Sequence, residues 1–304
     1  MADDGGGCAG TEVVKDCDPP VSIDGAPSAL HLERERYRRA QSVRSVLTAA
    51  ASTCLLGVVM FFVVVRSSGW GRVHRAFFSG HYGGKYFGDI MRWLWLNVRM
   101  VFFCEIAILV LGLAIALART LRGPIFFPVR ALAAIYTDVF RGMPLIVLLY
   151  IIGFGVPGLE VAGVPKSAAI LGGIAIVLTY SAYVAEVFRA GIQSVHPSQR
   201  AASRSLGLSY SQTMRFVVVP QAVRRVLPPL LNDFVALQKD TGLISVLGAV
   251  DAVRAAQIGV YRDFNYTPYV AAGVIFVLFA IPFIRLGDWV AARDERRRGQ
   301  GGVT

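Results

Sequence analysis

The sequence predicts an all-α polytopic membrane bundle of six spans with both termini cytoplasmic, and two observations carry the prediction. First, 55% of the 304 residues are hydrophobic and the mean hydropathy is +0.54. The apolar residues are bunched into runs, several long enough to cross a hydrocarbon core of ~30 Å as a helix. Second, Lys and Arg alternate between loops, nineteen on one side and eight on the other. Cationic loops stay cytoplasmic, which fixes the orientation.

Residues 1–42 are polar, Gly-rich and Pro-containing, the composition of a disordered cytoplasmic tail. They are too long and too charged for the n-region of a secretory signal, so the next run is a retained span. That first span, at 46–65 within a segment 43–66, holds twenty residues without a charge. An extracytoplasmic loop follows at 67–92. With five Lys and Arg between 66 and 92 it is more basic than an outside loop should be.

The second span, at 93–118, carries Arg99 and Glu105, and Glu105 needs an arginine from another helix or a proton. The third span, at 131–155, carries Asp138 and Arg141. These lie three apart on one helix face and could neutralise each other. Pro144 cannot donate to the carbonyl of Phe140, which is a break in the helix. A freed carbonyl at membrane depth needs a protein or water partner. Two readings stay open, a pathway-lining break and a kinked helix with a structural ion pair.

The fourth span, at 168–188, ends near Glu186 and Arg189. The fifth, at 226–250, is interrupted by Pro228, Pro229, Asp233, Lys239 and Asp240. The prolines predict a break or entry turn, and Lys239-Asp240-Thr241 reads as a cavity lining or a structural pair. The sixth span, at 268–284, has no charge, and a tail follows at 294–304.

Between the fourth and fifth spans lies "RAASRSLGLSYSQTMRFVVVPQ". Pro197 can start a helix, since its missing N–H would be an orphan there. Gly207 supplies a left-handed stop. Ser209-Tyr210-Ser211-Gln212 has the form of a capping box. A second short helix runs to about residue 218, where Pro220 closes it. Two capped short helices make a rigid knob, which can transmit motion between chains.

Several function classes are excluded or weakened. The net charge of +11 is spread over several loops and forms no stripe, so a nucleic-acid partner is not expected. The phosphate-cradling G-x-x-x-x-G-K-[ST] pattern is absent: Gly84-Lys85 is followed by Tyr86, and Ser79 stands where its first glycine belongs. The four histidines are scattered, and the four cysteines lack metal-ligand or redox spacing. No catalytic residues and no metal site are expected.

The polar stretch resembles the cytoplasmic coupling loop of importer-type ABC transporter permeases, an E-A-A-x-x-x-G signature with a downstream proline. Gly207 and Pro220 match it. "DVFRGMPLIVLLY", "YSAYVAEVFRAGIQSV" and "PQAVRRVLPPLLNDFVALQKDTGLISVLG" resemble the polar amino acid uptake subfamily, of histidine, glutamine, glutamate or arginine type. The likeness covers about residues 93–293, a permease domain of five spans, with the first span as an addition. Ala201 stands where the family has its glutamate, with Ala202 and Ser203 following; Arg200 replaces a frequent aromatic and Ala190 a frequent glycine.

The resemblance implies a bacterial inner-membrane permease subunit of type I importer fold. It implies a second permease chain, identical or different, a pair of ATPase subunits that bind the ATP and Mg, and an extracytoplasmic solute-binding protein. The chain itself needs no cofactor. The coupling loop at 190–222 implies Gln199, Arg200, Ala201, Ala202, Ser203, Leu206, Gly207 and Pro220 as ATPase-coupling residues. Asp138, Arg141, Glu186, Lys239, Asp240 and Thr241 are candidates for the substrate pathway, since an amino acid presents a carboxylate and an ammonium together. A self-contained secondary transporter or channel would account for the intramembrane charges and broken helices equally well, but not for the capped cytoplasmic knob. A membrane enzyme lacks clustered catalytic groups.

Overall fold

The computed structural model describes residues 29–300, apart from 122 and 161. The described residues are mostly helical, with no strand among them. Four helices are long and apolar enough to cross a membrane, or six if each of two bent pairs counts as one span. The chain divides into two compact units, Met1–Trp70 and Gly71–Thr304.

In the first unit, helix α1 (Ala29–Val65) includes a stretch, Arg44–Val65, able to span a bilayer. Three hydroxyls of that stretch bond back along the helix: Thr48 Oγ1 donates to the Arg44 carbonyl at 3.0 Å, Ser52 Oγ to the Ala49 carbonyl at 2.9 Å and Thr53 Oγ1 to the same carbonyl at 2.8 Å. Such back-bonding lets a polar side chain sit in an apolar run without a partner helix. The tail expected over 1–42 is therefore helical from Ala29, and its residues 1–28 lie outside the described residues.

The second unit, from Gly71, takes in all but the first residue of the amphipathic α2 (Trp70–Phe77) and the whole of the long α3 (Gly80–Thr120). The second span starts thirteen residues earlier than its apolar run suggests, because residues 80–92 find their own packing. Tyr86, Ile90 and Leu94 bury against Ala252, Ala255 and Ala256 of α9 (Ala252–Asp263). Lys85 pairs with Asp263 at 2.5 Å, and Tyr86 also donates to that carboxylate, at 2.8 Å. On its other flank α3 exposes Trp95, Phe102, Ile106, Val110, Leu113 and Leu117, a helical stripe suited to lipid.

Helix α3 packs closely on α6 (Ala168–Gln193). A Cβ at Gly112 would lie 2.8 Å from Val184, so only glycine allows this approach. At the next layer Ile108, Ile176, Leu237 and Ile244 are buried together.

The third span is not straight. Helix α4 (Phe127–Gly142) meets the segment α5 (Leu145–Gly158) at 104° across Met143-Pro144. Pro144 enforces the turn, as its ring and missing N–H predict. The Arg141 carbonyl accepts the Tyr183 hydroxyl at 3.1 Å, so an opened carbonyl at the break has found a protein partner.

After α6 come the short α7 (Pro197–Ser205) and one long rod, α8 (Tyr210–Leu247). Here two expectations are corrected. Pro220 does not close a short helix. Met214–Val218 are wound as a π-turn, and Pro220 falls in the first turn of the continuing helix, where a missing N–H is tolerated. Nor do Pro228 and Pro229 break the rod; both lie inside it. α8 tightens to a 3₁₀ helix over Thr241–Leu247 and ends at Gly248, whose φ is +86°.

The turn into α9 is held by a network around buried Asn97 and Asp251. Asn97 donates to Asp251 at 3.0 Å and accepts from the Ala252 amide at 3.2 Å, while Asp251 caps α9 through the Arg254 amide at 2.8 Å. α9 and α8 form the second bent pair, at 50°. The last helix, α10 (Thr267–Gln300), is tied to α8 where buried Gln238 donates to the Phe276 carbonyl at 3.2 Å. α10 thus runs through residues 294–300, and 301–304 lie outside the described residues.

Candidate functional site

Two regions carry chemistry. The first is a cavity of about 470 Å³ where the α4–α5 break faces α6 and α8. Arg141, Pro144, Thr179, Tyr180, Asp233 and Asp240 contribute to its lining. The break borders the space, with Arg141, Gly142, Met143, Pro144 and Leu145 all in its lining. Asp233 and Asp240 are seven residues apart, two turns of α8, and so share a face. Tyr180 donates to Asp240 at 2.7 Å. The Arg141 guanidinium sits 5.7 Å from the centre of the Tyr183 ring, also on the cavity wall. Two carboxylates and one guanidinium thus meet in one partly enclosed space.

Two of the cavity's polar atoms have no hydrogen-bond partner: Thr179 Oγ1 and Asp233 Oδ2, both buried. Buried polar groups are nearly always paired, so these two unpaired atoms mark the wall residues Thr179 and Asp233 as exceptions.

Of the six residues expected along a pathway, the structure brings Arg141 and Asp240 to the cavity. Asp138 is exposed on α4 and forms no ion pair with Arg141 among the described residues. Lys239 is exposed and Thr241 is buried against Gln238 and Asn97, both outside the lining. Asp233 was not among the expected residues, although its i, i+7 spacing to Asp240 is a signal that could have marked it. Glu105 is half-buried on α3 with no ion pair among the described residues.

Glu186 serves a different purpose. It accepts from Arg119 of α3 at 3.0 Å and from Arg189 of its own helix, while Arg119 also donates to Thr137 of α4 at 2.9 Å. One carboxylate therefore ties three helices together beside the α6 terminus. Replacing Glu186 with alanine leaves two guanidinium groups uncompensated and is expected to cost about 1–2 kcal/mol, discounted for partial exposure. A lowered melting temperature of the purified chain in detergent checks this; an unchanged one refutes it.

The second region is the segment from the end of α6 to the start of α8. α7 starts at Pro197, with His196 Nδ1 accepting from the Ser198 amide at 3.2 Å. It ends in a Schellman turn. The Leu208 amide reaches the Ser203 carbonyl at 3.2 Å, the Gly207 amide reaches Arg204 at 2.9 Å, and Gly207 has φ +82°. The Ser209–Gln212 capping box is complete, at 2.8 and 3.3 Å. Buried Ser203 and Thr213 join the two helices at 3.1 Å. Gln199 accepts from Gln221 at 2.5 Å, and Arg200 donates to the Ile192 carbonyl at 2.5 Å. Ala201, Ala202, Leu206 and Pro220 are exposed. One of the two expected short helices is present, α7; the second is the start of α8, and the turn between them is held by the Schellman bonds, the capping box and the Ser203–Thr213 bond.

A family model for "binding-protein-dependent transport system inner membrane component" matches residues 108–296. α1, α2 and the first part of α3 lie outside that match. The arginine transport system permease protein ArtQ of Bacillus subtilis is 31% identical over 202 residues, covering 66% of this chain and 90% of ArtQ. The probable glutamine ABC transporter permease protein GlnM of the same organism is 33% identical over 188 residues, covering 62% and 84%. A crystal structure of an amino acid ABC transporter with histidines superimposes with a TM-score of 0.63 at 34% identity, over 69% of this chain and 95% of that one. The methionine transporter MetNI, at 20% identity and a TM-score of 0.52, shares the fold.

Proposed function

The chain belongs to the family of binding-protein-dependent transport system inner membrane components, a multi-pass membrane permease, and on that premise we propose that it carries polar amino acids inward across a bacterial inner membrane. The cavity is the observation that carries the reading. An α-amino acid brings a carboxylate and an ammonium group, and the cavity offers Arg141 to the first and Asp233 or Asp240 to the second. A second carboxylate left over favours a substrate whose side chain is itself cationic or a strong donor. The arginine permease ArtQ among the relatives supports this preference.

In this reading both termini and the knob face the cytoplasm. A pair of ATPase subunits binds ATP and Mg and closes on the knob, whose rigidity passes the movement to α6 and α8. These helices are the walls of the cavity, so their rocking switches its access. A second permease subunit completes the path, and a solute-binding protein delivers the substrate from outside. The chain needs no cofactor of its own.

A self-contained secondary transporter remains the rival, and one experiment separates the two. Proteoliposomes holding the complete complex are given radiolabelled amino acids in turn, with and without internal ATP. Concentrative uptake that requires both ATP and the ATPase chain, strongest for a basic or amide amino acid, is the expected result. Uptake by the permease alone, driven by an ion gradient, would overturn the proposal.

A further inference from the structure

We infer that the knob docks its ATPase through cationic and aromatic side chains, and that the partner's groove is therefore acidic around an apolar floor. The inference rests on reading this segment as the coupling element and adds the chemistry that decides which ATPase fits. Residues 187–232 contain six arginines and no Asp or Glu. Three of the six are used internally. Arg189 pairs with Glu186, while Arg200 and Arg225 donate to the Ile192 and Ser194 carbonyls at the end of α6. Those carbonyls are the unsatisfied, partially negative end of a helix, which cations stabilise.

Arg204, Arg215 and Arg224 remain exposed, with no carboxylate in ion-pair range among the described residues. Beside them in sequence stand Leu206, Tyr210 and Phe216, exposed by 83%, 61% and 62%. The Arg215 guanidinium lies 5.7 Å from the Phe216 ring centre. Exposed apolar and aromatic side chains interspersed with arginine match the composition of a protein interface centre. An anionic lipid surface would also attract arginine and aromatics. It has no use, however, for the fixed shape imposed by the Schellman turn, the capping box and the Ser203–Thr213 bond. A shaped cationic surface suits a shaped acidic partner, and a groove lined with Lys or Arg is rejected by like charge.

The test uses the full chain in nanodiscs of phosphatidylcholine and the ATPase chain with which it reconstitutes uptake. Binding is measured over a series of salt concentrations. Affinity is expected to fall as salt rises, and to fall by about tenfold or more when Arg204→Glu and Arg215→Glu are combined. The paired Arg→Lys variant should bind nearly as the wild type does, which separates lost charge from lost fold. Acid-to-Lys substitutions in the ATPase groove should restore binding to the Glu variant. Equal binding by wild type and Glu variant overturns this inference and leaves the transport reading standing. So does binding of the ATPase only in discs containing phosphatidylglycerol, which makes lipid the occupant. A wild-type chain that binds no ATPase at all sinks both.

Discussion

Gly207→Val is expected to leave the chain inserted and folded while stopping ATP-dependent uptake. The reason is conformational and not steric. A Cβ at Gly207 meets nothing within 4 Å, yet the residue has φ +82°. Left-handed backbone costs an L-residue roughly 1–2 kcal/mol, and a β-branched one more. The Schellman turn at Gly207 fixes the angle between α7 and the start of α8, so valine sets the strain against a single pair of backbone bonds and the turn opens. On the reading proposed above, movement of the ATPase would then be absorbed in the turn before reaching α6 and α8. Gly207→Asn, which tolerates this region, should retain most uptake. Reconstituted transport and ATPase binding are measured for both. Full uptake by the valine variant would show that a rigid knob is not required, and equal loss in both variants would show that the backbone angle is not the cause.

That glycine was legible in the sequence for the same reason that it matters. A left-handed stop followed by a capping box is local chemistry, carried by Gly207, Ser209 and Gln212 alone. The apolar runs were legible too, because the bilayer imposes a length and tolerates few charges. Where the reading failed, the outcome depended on which way a helix faces. In the sequence Lys239 and Asp240 stay open between a cavity lining and a structural pair because adjacency does not give facing, and adjacent residues on a helix point about 100° apart. The rod therefore turns Asp240 to the cavity and leaves Lys239 exposed. Asp138 and Arg141 have the right spacing to pair, but Arg141 lies at the turn before Pro144, and Tyr183 of another helix takes its guanidinium face and its carbonyl. Pro220, Pro228 and Pro229 read as breaks because each removes a donor. The π-turn at Met214–Val218 lets the first be absorbed, and a π-turn has no compositional mark.

The cavity gives the other large effect. Asp240→Asn keeps the shape of the side chain and an acceptor for Tyr180, yet removes the charge that would hold a substrate ammonium. A hydrogen bond to a charged group contributes about 1.5–3 kcal/mol, which is roughly ten- to a hundredfold in affinity. Apparent KM for uptake should rise by that factor, with folding and ATPase binding unchanged. Asp233→Asn should have a comparable effect on a substrate with a cationic side chain and a smaller one on an amide substrate, because Asp233 is the second carboxylate of the lining if Asp240 takes the α-ammonium. The double variant tests whether the two act on one molecule. If both carboxylates grip the same substrate, uptake of a basic amino acid falls below measurement while that of a neutral one persists in part. If uptake of basic and neutral substrates falls equally in Asp233→Asn, the side-chain role fails and Asp233 belongs to the packing of α8. If neither variant alters KM for any amino acid, the cavity is not on the path, and the buried Thr179 and Asp233 atoms need another explanation.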